Sequence, residues 1–171
     1  MGFLKGKTAI ITGGGRSVLK DGSCGSIGYG IATAYAKEGA NLVITGRNKQ
    51  KLADAKEELE RLYNIKVLPV QADVSAGADN ETVVQHVIDE TIAKFGRIDV
   101  LINNAQASAS GVAANEWGPD GINANIICPL AWTAQLENFQ QAYPEAFEAN
   151  VKMPPAGHYG DVEKEIGRVC V

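Results

Sequence analysis

Over the first hundred residues, short apolar runs alternate with longer stretches in which apolar residues recur every three or four positions. The runs predict strands at 8–12, 41–45, 65–70 and 100–102, and the periodic stretches predict helices at 27–38, 49–63 and 81–95. This order is typical of βαβ units around a parallel sheet. The strands are nearly all apolar, as expected where helices cover both faces of the sheet.

Each predicted helix carries an apolar stripe that should face the sheet. The first contributes Ile27, Ile31, Ala34 and Tyr35, the second Leu52, Ala55, Leu59 and Leu62, and the third Val84, Val87, Ile88, Ile92 and Phe95. Gly39 stands where a helix C-terminal cap is favoured.

The rhythm changes after Asn104. Residues 106–111 are small and polar, 112–117 resemble the end of a helix without its beginning, and 121–128 predict another buried strand. Only 24 residues separate Asn104 from Pro129, while a strand–helix–strand passage takes about 30. The remaining chain predicts helical structure with many aromatic residues at 132–153, then a loop and a helix at 154–171.

The composition indicates a single globular domain over residues 1–171, with 45% hydrophobic and 21% charged residues. The net charge of −4 and the pI of about 5.2 argue against a nucleic-acid-binding surface. No apolar run is long enough to span a membrane, and we expect a cytoplasmic protein. Three cysteines without CxxC spacing and two histidines make a disulfide scaffold or a metal site unexpected.

Glycines lie at the junction of the first strand and the first helix. The strand runs into Thr12-Gly-Gly-Gly-Arg16, and the helix begins at Ser26-Ile27-Gly28. Such glycines allow the backbone to approach a pyrophosphate, whose charge is met by free N–H groups at the helix N-terminus. This arrangement predicts a dinucleotide site, although a glycine-rich turn without a ligand would show the same composition.

Five short motifs resemble those of the short-chain dehydrogenase/reductase superfamily: Thr12-Gly13, Ile27-Gly28, Asp73-Val74, Asn103-Asn104-Ala105 and Pro129. The resemblance implies a doubly wound Rossmann-type α/β fold and an oxidoreductase that interconverts a secondary alcohol and a ketone. Residues 17–25 are an insertion in the glycine pattern of that family, similar to the extended loop of its enoyl reductase branch. Gln106 departs from the glycine that usually follows the Asn-Asn-Ala motif.

In that family, the residue after the second strand selects the cofactor. Here the sequence is Thr45-Gly-Arg47-Asn48, without a carboxylate, so Arg47 and Arg16 are candidate ligands of a 2′-phosphate and the expected cofactor is NADP. An exposed arginine at a helix start is the alternative for Arg47. The resemblance further implies cofactor contacts by Gly13, Ser26, Ile27, Asp73, Val74, Asn103 and Ala105, and a nicotinamide contact by Thr133.

The family's proton-transfer group, a Ser with a Tyr-x-x-x-Lys pair, is absent. Tyr63 and Lys66 have the wrong spacing, and Tyr35, Tyr143 and Tyr159 have no lysine four residues later. Either residues are missing from this sequence between Gly111 and Val112 and after Val171, or the 171 residues are the whole product and the chain is an inactive NADP-binding module. The truncated helix pattern at 112–117 favours the first alternative.

Residues 25–33, 103–111 and 128–135 resemble a narrower group, the bacterial bile-acid 12α-hydroxysteroid dehydrogenases. This implies a small apolar hydroxy or keto substrate, such as a bile acid, and association into a homotetramer. The aromatic segment 132–147 is compatible with a lid over such a ligand and equally with ordinary helix packing. If the omitted-block interpretation holds, strands 100–102 and 121–128 should present an exposed apolar flank.

Overall fold

The chain forms an α/β structure in a computed structural model that describes residues 2–74, 80–104 and 129–171. Four parallel strands, β1 (Thr8–Thr12), β2 (Asn41–Gly46), β3 (Val67–Gln71) and β4 (Val100–Ile102), form a sheet in the order β3-β2-β1-β4. The crossover from β3 to β4 on the far side of β1 is the arrangement of a doubly wound Rossmann-type sheet. The fold class predicted from the sequence is confirmed.

Helices connect these strands and continue the chain beyond them. They are α1 (Ile27–Lys37), α2 (Lys49–Tyr63), α3 (Asn80–Phe95), α4 (Ala134–Ala142) and α5 (Pro144–Asn150), followed by a π-helical segment at Val162–Gly167. Proline at the first position of α5 separates it from α4, because proline lacks the N–H that a continuous helix needs. The helical stretch predicted at 132–153 is therefore two helices.

The core lies on both faces of β1 and β2. Alternate residues point to opposite faces of a strand, so Ile11 and Ile44 pack with α1 and α2, while Ile10 and Val43 pack with Val87 of α3. All five residues of β1 are buried. The apolar runs in the sequence thus correspond to strands covered on both sides.

Helix α1 is buried on nearly all sides, although the sequence predicted a single buried stripe. Residues 28–36 are all buried, because the π-helical segment packs against the face opposite the sheet. The two backbones approach closely: a Cβ on Gly30 would lie 2.2 Å from the Val162 carbonyl oxygen, and one on Gly167 would lie 2.6 Å from that of Gly30. The C-terminal residues therefore belong to the same packed unit as the sheet.

Asp99 joins the loop before β4 to the start of β1. Its carboxylate accepts a hydrogen bond from the Thr8 backbone N–H at 2.9 Å and pairs with Arg97 and Lys7. The hydrogen bond from Arg97, with those from Thr8 and Lys7, holds the pKa of Asp99 well below its usual range. The ionised side chain thus aligns β1 with β4.

Several inward-facing predictions were wrong. Leu62 is 51% exposed in α2, and Val84 and Ile92 are 40% and 47% exposed in α3. The predicted Val87 is buried and the predicted Phe95 packs against the same core, but the buried row continues through Thr91, which was not predicted. Thr91 satisfies its hydroxyl by donating to the Val87 carbonyl oxygen at 2.6 Å, which is why a polar residue occupies this row.

Helix and strand ends differ slightly from the predicted limits. Helix α1 ends at Lys37, Gly39 adopts the left-handed φ of +85°, and β3 begins two residues later than predicted.

Leu101 of β4 is 47% exposed, as expected for the apolar flank. The second strand of that flank, 121–128, lies outside the described residues, as does the partial helix at 112–117. None of the described helices has the length and hydropathy needed to cross a membrane.

Candidate functional site: a cleft at the carboxyl ends of the strands

The carboxyl ends of β1 and β4 are joined by Asn104. Its backbone N–H donates to the Thr12 hydroxyl and its side-chain amide donates to the Thr12 carbonyl oxygen, both at 2.9 Å. The Thr12 hydroxyl in turn donates to the carbonyl oxygen of Ile102 at 3.3 Å. The strand order β3-β2-β1-β4 reverses at β1, and the end of β1 is therefore the position at which open parallel sheets bind ligands.

The glycine-rich turn after β1 brings α1 very close to the strand. Gly13 adopts a φ of +73°, which favours glycine. A Cβ on Gly28 would lie 2.3 Å from the Gly13 carbonyl oxygen and 2.7 Å from the Asn104 side-chain nitrogen. Only glycine at position 28 permits this approach, so the first turn of α1 begins directly beside the end of β1.

The N-terminal turn of α1 has no side-chain cap. Ser26 occupies the cap position, but its hydroxyl donates to the Gly15 carbonyl oxygen at 3.0 Å instead of accepting from the helix. The first N–H groups of the helix, beginning at Ile27, therefore remain for an external acceptor. A helix N-terminus beside a glycine turn suits the pyrophosphate of a dinucleotide, and the positions of Gly13, Ser26 and Ile27 fit that group.

The end of β2 carries positive charge. Arg47 is exposed, and among the described residues its guanidinium makes no ion pair, while its carbonyl oxygen accepts from the Gln71 side chain at 2.9 Å. Asn48 caps α2 by accepting from the Lys51 N–H at 3.0 Å. The side chain of Arg47 is thus available to an anionic ligand at this edge of the sheet.

Arg16 differs from Arg47 because it is already paired. Its Nε and Nη2 atoms lie 3.0 and 2.9 Å from the Glu58 carboxylate, which also accepts from the Tyr29 hydroxyl at 2.5 Å. The hydrogen bond that Arg16 donates to Glu58 raises the pKa of Arg16. Burial opposes ionisation of Glu58, but the hydrogen bonds from Tyr29 and Arg16 outweigh it and lower the pKa of this carboxyl.

The other predicted cofactor residues lie at the same edge. Asp73 and Val74 follow β3, where Asp73 is exposed and Val74 packs against the core around Val43. Asn103 is exposed directly after β4. Ala105 lies outside the described residues. The structure thus brings the loops after β1, β2, β3 and β4 to one edge.

Thr133 caps α4 by accepting from the Leu136 N–H at 3.2 Å. The start of this helix contacts the insertion in the glycine pattern, because the Ala134 N–H donates to the Gly25 carbonyl oxygen at 2.8 Å. The Lys20 N–H also donates to the Glu137 carboxylate at 3.2 Å. The segment that follows Pro129 is therefore attached to the candidate cofactor loop.

Aromatic rings hold this second segment together. Trp132 lies 6.1 Å from Phe147 and 5.5 Å from Tyr159, and Phe139 lies 6.1 Å from Phe147 between ring centroids. These spacings are typical of edge-to-face and tilted aromatic packing. No residue of α4 or α5 is fully buried, so both helices retain surface that a ligand could contact.

The sequence contains no Tyr-x-x-x-Lys pair at any of its five tyrosines. Tyr29 and Tyr35 are tied to Glu58 and to the Cys170 carbonyl oxygen, and burial raises the pKa of both hydroxyls. Neither is suited to proton exchange near neutral pH. The described residues therefore form a cleft at the strand ends without a Tyr-x-x-x-Lys pair.

Sequence reasoning missed three residues with definite positions here. Asn104 joins β1 to β4, Glu58 binds Arg16, and Lys51 lies beside the glycine turn. The position of Asn104 directly after a strand was a signal in the sequence for a structural turn residue. The partners of Glu58 gave no such signal, because Arg16 and Tyr29 lie 42 and 29 residues before it. Those contacts depend on how α1 and α2 pack.

Comparison with known proteins adds a family match. The family model described as short chain dehydrogenase matches residues 7–113. A 12alpha-hydroxysteroid dehydrogenase of Clostridium sp. is 46% identical, in an alignment that covers 100% of this chain and 90% of the relative. That alignment has 241 positions against 171 residues here, so at least 70 of its positions have no residue of this chain.

Solved structures show the same fold at lower identity. The L-sorbose reductase of Gluconobacter frateurii, complexed with NADPH and L-sorbose, is 19% identical with a TM-score of 0.75, covering 98% of this chain and 89% of that chain. RhlG of Pseudomonas aeruginosa, in a complex with NADP, is 21% identical with a TM-score of 0.71, covering 97% and 88%. Both likenesses support the Rossmann-type architecture.

Proposed function

Because the chain belongs to the short-chain dehydrogenase family, whose members interconvert alcohols and ketones with a nicotinamide cofactor, we propose that its cofactor is NADP and its substrate a steroid. The reaction we propose is oxidation of the 12α-hydroxyl of a bile acid and its reversal. The single observation that carries the steroid part is 46% identity along the whole chain to a 12alpha-hydroxysteroid dehydrogenase.

The choice of NADP rests on the end of β2. A carboxylate at this position would accept hydrogen bonds from the adenosine ribose and repel a 2′-phosphate. The chain has Gly46 and the exposed Arg47 instead, and Arg47 has no carboxylate partner among the described residues. An unpaired guanidinium suits a phosphate because it can form a bidentate, charge-assisted pair.

The residues at the other strand ends suit the rest of the cofactor. Gly13, Ser26 and Ile27 would hold the pyrophosphate, Asp73 and Val74 would flank the adenine, and Asn103 and Ala105 would lie beside the adenosine ribose. Thr133 would contact the nicotinamide end. The bound cofactor would supply the hydride acceptor for oxidation of the alcohol and, in its reduced form, the hydride donor for reduction of the ketone.

An apolar substrate suits the segment after Pro129. The helices α4 and α5 are attached to the glycine loop by the Ala134–Gly25 hydrogen bond, and their aromatic cluster lies on this attached segment. Leu130 and Met153, at either end of the helix pair, are each more than half exposed. Apolar side chains beside a cofactor cleft favour a ligand with a large apolar surface.

We further propose that the proton-transfer residues belong to segments absent from this sequence, between Gly111 and Val112 and after Val171. The alignment positions without a residue of this chain support the first of these. Mass spectrometry of the protein purified from its source should give a mass well above 18.1 kDa and a Tyr-x-x-x-Lys peptide. A mass equal to that of the 171 residues, without such a peptide, would favour an inactive NADP-binding module.

The activity itself is tested on the protein purified from its source. Absorbance at 340 nm should rise when NADP and a bile acid with a 12α-hydroxyl are added. The matched control is the corresponding bile acid without that hydroxyl, which should give no increase. Equal rates with both compounds would contradict the assignment to C12, and no reduction with any secondary alcohol would contradict an oxidoreductase.

We also propose that the protein assembles as a homotetramer. The exposed face of β4 at Leu101 and the exposed apolar residues of α3 are surfaces that further chain or a second copy would cover. Light scattering on the purified protein should give about four times the monomer mass. A fully active monomer would refute this assembly.

A further inference from the structure

Three cations surround the beginning of α2. Arg47 precedes the helix, and Lys49 and Lys51 lie in its first turn, which contains no acidic side chain. Within the described parts of the chain, none of the three forms an ion pair. Cations near the N-terminus of a helix are repelled by its dipole, so this arrangement carries an electrostatic cost that a bound anion would offset.

Lys51 differs from Lys49 because it contacts the glycine turn. A Cβ on Gly15 would lie 3.2 Å from the Cβ of Lys51, and the Arg16 N–H donates to the Lys51 carbonyl oxygen at 2.9 Å. The Lys51 ammonium donates to the Ser17 hydroxyl at 3.0 Å. Its charge therefore lies between the loops that follow β1 and β2, the side of the cleft where the adenosine ribose of a dinucleotide binds.

Arg16, the other candidate from the sequence, is surrounded by acidic groups. Its guanidinium is engaged by Glu58, and the same shallow cleft is lined by Asp54, Glu57 and Arg61. Three carboxylates against two guanidiniums leave this cleft negative, which disfavours a phosphate. Releasing Arg16 would also leave the Glu58 carboxylate without its cationic partner.

We propose that Lys51, together with Arg47, holds the 2′-phosphate of NADP, and that Arg16 joins the glycine turn to α2 without contacting the phosphate. This inference rests on the proposed function, because it requires NADP as the cofactor. Lys51 would exchange an exposed hydrogen bond to the uncharged Ser17 hydroxyl for one to a phosphate anion, in which both partners are charged and the interaction is stronger.

The test measures dissociation constants of NADPH and NADH by calorimetry for the wild type and for Lys51→Gln. Loss of a charge-assisted hydrogen bond should weaken NADPH binding roughly ten-fold and leave NADH binding unchanged. Lys49→Gln is the matched control, since it removes the same charge from the same helical turn and should change neither constant by more than about two-fold. Lys51→Arg should restore most of the NADPH affinity.

Two further variants separate the role of Arg16. Arg16→Gln and Glu58→Gln should each lower the melting temperature while keeping the wild-type ratio of NADPH to NADH affinity. A ratio that falls in Arg16→Gln but not in Lys51→Gln would overturn the proposal and assign the phosphate to Arg16. A wild type that binds both cofactors equally would overturn the NADP assignment and this proposal together, whereas a preference retained in Lys51→Gln would overturn only the proposal.

Discussion

Replacing Gly28 with alanine perturbs the closest contact between α1 and the end of β1. The added Cβ would lie 2.3 Å from the Gly13 carbonyl oxygen and 2.8 Å from the Gly13 carbonyl carbon. Carbon and oxygen atoms in close contact are ordinarily about 3.3 Å apart. The first turn of α1 must therefore move by about 1 Å away from the strand, or the Gly13 backbone must move.

The expected free-energy change combines two opposing effects. Overpacking a close contact costs about 1–3 kcal/mol, while exchanging glycine for alanine inside a helix returns at most about 1 kcal/mol. The second term is smaller here because Gly28 is only the second residue of α1. We expect a net destabilisation of about 1–2 kcal/mol, together with weaker cofactor binding because the first-turn N–H groups are displaced.

Urea unfolding monitored by circular dichroism measures the first effect, and NADPH titration measures the second. Gly46→Ala is the matched control for the unfolding measurement, because its Cβ would meet the Leu52 side chain at an ordinary 3.6 Å and its φ is not in the left-handed region. If the stability of Gly28→Ala lies within about 0.5 kcal/mol of the wild type and its NADPH affinity is unchanged, the close packing of α1 against the glycine turn does not position the cofactor loop.

Three other predictions concern single side chains. Arg47→Asp should weaken NADPH binding roughly ten- to a hundred-fold and leave NADH binding nearly unaffected, because repulsion of the 2′-phosphate replaces a charge-assisted bond. Fluorescence titration with each cofactor measures this, and equal losses of affinity for the two cofactors would contradict it. Asn104→Ala should lower the unfolding free energy by about 1 kcal/mol through loss of the bond to the Thr12 carbonyl oxygen, measured by urea denaturation, with no change counting against it. Because the pKa of Asp99 is lower in the folded than in the unfolded chain, its ionised carboxylate stabilises the folded state above the unfolded pKa near 4, and this stabilisation is lost as the pH falls below that value. Asp99→Asn should therefore flatten the pH dependence of the melting temperature below pH 4. An unaltered profile would contradict this role of Asp99.

The sheet could be predicted from the sequence because its strands are buried on both faces. Short runs such as Ala9-Ile10-Ile11 favour a covered strand. Gly13 is required by its left-handed φ and Gly28 by its close contact with the Gly13 backbone. The positions of the candidate cofactor residues follow directly, since parallel strands carry their following loops to one edge.

The orientation of α3 could not be predicted in the same way. Val83, Val84, Val87 and Ile88 give the helix two adjacent apolar rows, and periodicity alone does not choose between them. The buried row includes Thr91, whose hydroxyl is satisfied within the helix. Pattern reasoning treats threonine as polar, so the predicted stripe included Val87 and Phe95 of the buried row but also the exposed Val84 and Ile92, and it omitted Thr91.

The ion pair between Arg16 and Glu58 could not be predicted from the sequence either. Glu58 is 42 residues away, and its carboxylate reaches Arg16 only because α1 and α2 pack side by side next to the glycine turn. Arg47 lies at the end of a strand whose position the sequence already defines, so its exposure follows from local structure. The two arginines look equivalent in sequence and differ in the structure by one carboxylate.

The proposed function requires that the cleft at the carboxyl ends of the strands binds NADP in preference to NAD. Native mass spectrometry of the protein mixed with equimolar NADPH and NADH tests it directly, because both complexes are seen in one spectrum without any need for turnover. We expect the NADPH complex to exceed the NADH complex by about ten-fold or more, the discrimination that one charge-assisted phosphate contact provides. Equal occupancy, or an excess of the NADH complex, would contradict the account.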